Sequence, residues 1–185
     1  MGIAKVREER IGRGECRHED GRHDICMTRN YLEKLALEIL EQTHHDHADP
    51  YDTQNHRLFS ISSFHSRRLL AEVADVYIGV AAIPCLHAMI GEDPMVAIET
   101  CGYAAPADNF NGSPSKHPAR RRVRLIIVAN REGDIGSAIV FSDDPSDPIT
   151  SAMGSGMLSD KLSEAMQRLE LVQSLPLNNP GANLK

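Results

Sequence analysis

Apolar residues first fall into step at Leu32. Leu32, Leu35, Ala36, Ile39 and Leu40 recur three and four residues apart, with Glu33, Lys34, Glu38 and Glu41 largely opposite. That period predicts an amphipathic helix. Thr28 or Asn30 can cap its start, and Glu33 stands three residues after Asn30, as in a capping box. Ala48-Asp49-Pro50 predicts its end, because a residue before proline avoids the helical region. RLFSISSF (57–64) reads as a possible short strand. A second helix is predicted from about Arg67 to Ile90, with Ser66 as its cap. Its later part, VYIGVAAIPCLHAMI, is apolar on nearly every face, which predicts a buried central helix too short to span a bilayer. Pro84 should kink it or split it in two, and Gly91 should close it.

The pattern then changes to β-rich runs. MVAIETCGY (95–103) predicts a strand, and a loop dense in Pro, Asn, Gly and Ser follows. RVRLIIVA and IGSAIVFS are joined by Asn130-Arg131-Glu132-Gly133-Asp134, which predicts a hairpin with Gly133 in a left-handed turn position. SDDPSDP (142–148) reads as an acidic turn. Leu162, Ala165, Met166 and Leu169 restore the helical period, with Ser159 as the cap. The fold class this predicts is α+β: a small antiparallel sheet, a three-strand meander with a strong C-terminal hairpin, packed against about three helices on one face. Residues 1–27 show no steady period and read as a charged irregular arm. A single domain spans 28–173, and 174–185 reads as a frayed tail. The element order over 66–172 is loosely similar to small sensor and adaptor domains of the PAS, GAF or profilin-like kind, an analogy of order that assigns no residue a role.

Composition sharpens this reading. The 185 residues include no Trp and only 4% aromatics, so the core must be aliphatic. The formal net charge is −6, which gives no reason to expect general nucleic-acid binding. Arg120, Arg121, Arg122 and Arg124 form one basic run, read as a solvated strand entry or an anion contact. Asp143, Asp144 and Asp147 form an acidic loop. The four cysteines include no C-x-x-C, and MGIAKVREERIGRGE lacks the apolar core of a secretory signal. Reduced thiols, a cytoplasmic location and no membrane association are therefore expected.

EQTHHDHADPYD (41–52) holds most of the candidate chemistry. If the helix runs on to His47, then His44 and His47 continue the stripe of Leu40. Glu41 and His44 spell Glu-x-x-His, the pair that carboxylate-bridged metal sites draw from one helix. Glu41, His44, His45, His47 and His56 are the candidate ligands for a divalent metal, zinc or similar, with Asp52, Glu72, Asp75 or His87 in reserve. The alternative is a helix terminus, where histidines complement the dipole. Cys16, His18, His23 and Cys26 supply a second ligand set, though its spacing matches no common zinc motif. His87 reads as a hydrogen-bonded core histidine, and Cys85 and Cys101 as buried small hydrophobes. Ser113-Pro114-Ser115-Lys116 spells S-x-x-K outside a helix opening, and Gly154-Ser155-Gly156 lacks the rest of a phosphate loop. The leading expectation is a binding or regulatory module without enzymatic activity, acting through a protein partner, self-association or a small ligand. The alternatives are a small metal-dependent enzyme using 41–56, and an acidic inhibitor of a nucleic-acid-handling protein.

Overall fold

The leucine stripe of 32–40 builds a helix, α1 (Arg22–Gln42), and every member of the stripe is buried. In a computed structural model, which describes residues 22–46, 48–52, 56–63, 65–106, 111–151 and 157–174, α1 opens six residues before the cap expected at Thr28. A hairpin follows: β1 (His56–Ile61) and β2 (Arg67–Val73). Then come α2 (Val76–Ala82), a 3-10 turn (Ile83–Leu86) and α3 (His87–Ile90). The remaining elements are β3 (Met95–Ala104), β4 (Arg121–Asn130), β5 (Ile135–Phe141), β6 (Asp144–Ser151) and α4 (Met157–Ser174).

The class is α+β, but the sheet has six strands rather than three, in the order β2-β1-β3-β4-β5-β6, antiparallel throughout. Two misread segments account for the difference. Arg67–Val73 (RRLLAEV) is rich in helix formers, yet it pairs with β1, and Ser62 N–H donates to Ser66 O at 3.0 Å between the two strands. Tertiary pairing overrides propensity there. The second helix therefore starts at Val76, capped by Asp75, whose Oδ1 accepts from the backbone N–H of Tyr77 at 2.8 Å. The acidic segment reads as a turn because of its prolines. Only Ser142 and Asp143 turn, and Asp144–Ser151 continues as the edge strand β6, where proline is tolerated.

Helices cover both faces, not one. On one face α1 lies over β4, β5 and β6. Leu32, Leu35 and Ile39 meet Phe59, Ile126, Val128 and Val140 there. On the other face, α2, the 3-10 turn and α4 bury Leu58, Ile83, Ile98, Ile127, Leu162 and Met166. Burial on both sides explains why β4 reads LIIVA without alternation. Pro84 does split the apolar helix, at the 3-10 turn, and Gly133 takes φ +86° in the β4–β5 turn.

Gly136 sets the distance between α1 and the sheet. A Cβ there would stand 2.5 Å from Glu33 N and 2.6 Å from Leu32 Cβ, inside the backbone of α1. A Cβ on Gly102 would meet nothing within 4 Å. Gly136→Ala is expected to cost about 2 kcal/mol or more, and Gly102→Ala well under about 1 kcal/mol. Urea unfolding followed by circular dichroism separates the two.

Candidate functional site

Beneath α1 the sheet is apolar, and beyond the helix's C-terminal end it turns charged. The change occurs along single strands. On β3, Met95 and Ala97 lie under the helix, and Glu99 follows on the same face by the alternation of a strand. Arg57 of β1 is directly opposite Glu99, and Arg124 of β4 approaches it from the other side. Each oxygen of Glu99 takes one guanidinium: Arg57 Nε donates to Oε2 and Arg124 Nε to Oε1, both at 2.7 Å. All three residues are buried, Arg124 with 1% of its surface exposed.

The cluster extends in two directions. Arg57 Nη1 and Arg67 Nη1 both donate to Asp46 Oδ2 at 3.1 Å, and both guanidinium groups lie over the Phe59 ring, at 5.2 and 5.5 Å. Burial opposes ionisation of Asp46, but hydrogen bonds and charge from Arg67 and Arg57 outweigh it and hold the carboxyl below its ordinary value. In the other direction Arg124 Nη2 donates to Thr43 Oγ1, which itself donates to Ile39 O at 2.8 Å. Thr43 therefore ties the last turn of α1 to the ion cluster, and a cation sits where the helix dipole is negative. Burying this many charges is costly, and removing one partner from such a set typically costs about 3–5 kcal/mol.

Thr43 also corrects the expectation for the histidines. The α-helix stops at Gln42 and tightens into a 3-10 turn, Thr43–His45. Thr43 takes the buried position, and His44 and His45 are exposed, their rings 5.2 Å apart and edge to face. Glu41, His44 and His45 line one cleft of about 280 Å³ with Leu37, Leu40, Tyr51, Arg124, Val140 and Ser146. His47 lies outside the described residues. His56 is elsewhere, buried on the opposite face of β1, where its Nδ1 is 2.8 Å from Thr100 Oγ1. Asp75 is used as a helix cap, and Glu72 lies on the edge strand. Among the described residues no three His, Cys, Asp or Glu side chains are grouped to hold a metal.

The rest of the basic run is at the surface, and each of its arginines has a partner within the chain. Arg120 lies over Tyr103 at 5.5 Å, and Arg121 lies over Phe141 at 3.8 Å and chelates Asp143. Arg122 Nη2 donates to Asp49 Oδ2 at 3.0 Å. The acidic hairpin thereby has its first carboxylate neutralised from within. Asp49 also accepts from the Tyr51 N–H; that bond and Arg122 hold its carboxyl below the ordinary value. This turn lays Pro50 over Cys101, whose Sγ donates to Pro50 O at 3.2 Å. Burial, reinforced by Glu99, pushes the Cys101 thiol up to about 12.

Two further expectations, for Cys85 and His87, are corrected. Cys85 and His87 are exposed rather than in the core, because the 3-10 turn at Pro84 rotates them outward; His87 Nδ1 instead meets Pro84 O at 3.2 Å. Ser113 to Lys116 form an exposed 3-10 turn and its cap. Cys16, His18 and Gly154 to Gly156 lie outside the described residues; His23 and Cys26 fall on the opening turns of α1. The residues missed in the sequence are Arg57, Glu99 and Thr43; Arg124 was read only as part of the basic run. For Arg57 and Glu99 the signal was present: a single charge inside an otherwise apolar strand needs a buried partner.

Fold and site together define an α+β protein with a six-stranded antiparallel sheet between helical layers and an ion cluster closing one end. Compared with protein-family models, curated proteins and solved structures, the chain matches none.

Glu99→Gln leaves two buried guanidinium groups without their shared anion and is expected to cost about 3 kcal/mol or more in urea unfolding. A separate effect follows from His56. Burial holds it below its ordinary value of 6.5. The folded state then resists a proton that the unfolded state accepts, so stability is present above about pH 6.5 and is lost as pH falls below it. The melting temperature should drop between pH 7 and 5, and His56→Gln should flatten that drop.

Proposed function

We propose that this protein is a binding module without enzymatic activity, whose ligand is a small molecule with an apolar body and an acidic end. The observation that carries the reading is the composition of the cleft at the end of α1. Its apolar wall is Leu37, Leu40 and Val140, and its polar side is His44, His45, Ser146 and the buried Arg124. A space of about 280 Å³ suits a small organic molecule. Charge favours an anion. Arg124, His44 and His45 line the cleft as nitrogen donors, against the one lining carboxylate, of Glu41. Glu41 stands one turn before His44 and lines the same cleft.

The absence of catalysis is supported by how the reactive groups are held. The Cys101 thiol, pushed to about 12, stays protonated and is a poor nucleophile at neutral pH. Burial raises the Tyr51 hydroxyl above its ordinary value, and that hydroxyl donates to Phe141 O at 3.3 Å.

Titration of ¹⁵N-labelled protein with a series of aliphatic and aromatic monocarboxylic acids tests the reading. Dose-dependent shifts are expected at Leu37, His44 and Ser146, accompanied by a raised melting temperature. Ser146→Trp, which plugs the cleft from its exposed rim, should abolish both. Shifts that survive Ser146→Trp, or no shifts at these residues with any acid in the series, would refute it.

A further inference from the structure

We infer that the protein self-associates through β2, the free edge of its sheet, which pairs antiparallel with β2 of a second copy. The two edges of the sheet are not equivalent. β6 carries Pro145 and Pro148, which have no N–H to offer a further strand. β2 contains no proline, and among the described residues no strand pairs with its outer side. An edge strand points every second pair of N–H and C=O groups away from its neighbour, so β2 presents a row of unmatched backbone groups.

Apolar side chains flank this edge on both faces of the sheet. Leu69, opposite Phe59, is 47% exposed on the side of α1. On the other side α2 lies over β1 and β2. Ile78 of this helix is 69% exposed. Met89, whose carbonyl accepts from Arg68, is 47% exposed at the start of the strand. Pairing two copies of β2 would bring these side chains together from both subunits.

Charge selects a second copy and fixes the direction. β2 begins with Arg67, which is paired with Asp46, and with Arg68, which is 59% exposed and 3.3 Å from Asp93, and nears its end at the exposed Glu72. Antiparallel pairing about a two-fold axis sets the basic start of each strand against the acidic end of the other, twice over. Parallel pairing sets like against like. The register skips Leu70 opposite Leu58 and Phe59, a bulge that sharpens the twist and keeps the pairing short. The flanking side chains then supply most of the contact. Such an interface is closed, and gives a dimer rather than a filament.

Sedimentation of the full chain tests this, and the expected species has twice the 20.4 kDa subunit mass. Leu69→Lys and Ile78→Glu change exposed positions, so folding, read by circular dichroism, should be unaffected. Each should weaken dimerisation at least about tenfold. R67E/R68E and E72R should each be monomeric alone, because each makes the strand charged with one sign, and should form a dimer when mixed. A wild-type chain that stays monomeric at high concentration overturns the inference. So does a dimer whose affinity Leu69→Lys and Ile78→Glu leave unchanged, a result independent of whether the arginine variants fold.

Discussion

Glu99 accepts from two arginines at once, and much of the molecule is arranged around that fact. The carboxylate is buried at the middle of the sheet, and its guanidinium partners come from the strands on either side. Arg124 reaches from it to Thr43 and ends α1; Arg57 reaches from it to Asp46 and, with Arg67, holds the loop that leaves the helix. An ion cluster of this kind adds little net stability over an apolar substitute, because desolvation offsets the attraction. What it supplies here is position. Two rigid guanidinium groups and one carboxylate between them fix where the helix stops, and so where the cleft opens.

Much of the fold was legible because burial imposes period. The stripes of α1 and α4, the β3 to β5 runs, the break at Pro84 and the turn at Gly133 all follow from local chemistry. What was not legible depends on partners distant in sequence. RRLLAEV has helical propensity and becomes a strand only because β1 lies beside it. DPSDPITS contains two prolines and becomes a strand because an edge tolerates them. That helices cover both faces could have been inferred from the unbroken apolar run in β4.

The candidate site was legible only in part, for a related reason. The cluster of Glu41, His44 and His45 was visible, and these three do line one cleft. Its character was not. A helical continuation would have carried His44 inward, but the chain tightens into a 3-10 turn at Thr43–His45, with Asp46 N–H donating to Thr43 O, and the imidazoles lie outside. Arg57 and Glu99, which position Arg124 beside the cleft, are single charges in otherwise apolar strands. Their convergence is a matter of sheet register, since Arg57 and Glu99 are directly opposed.

The central claim is that Glu99 holds Arg57 and Arg124 in a water-excluded cluster that fixes the end of α1. Nuclear magnetic resonance of the arginine side chains reads this directly, through hydrogen exchange at Nε. The account predicts that Nε–H of Arg57 and of Arg124 exchange slowly, as protected as the amides of β3 and β4, while the exposed Arg168 exchanges fast. Exchange at Arg57 and Arg124 as fast as at Arg168 would contradict it.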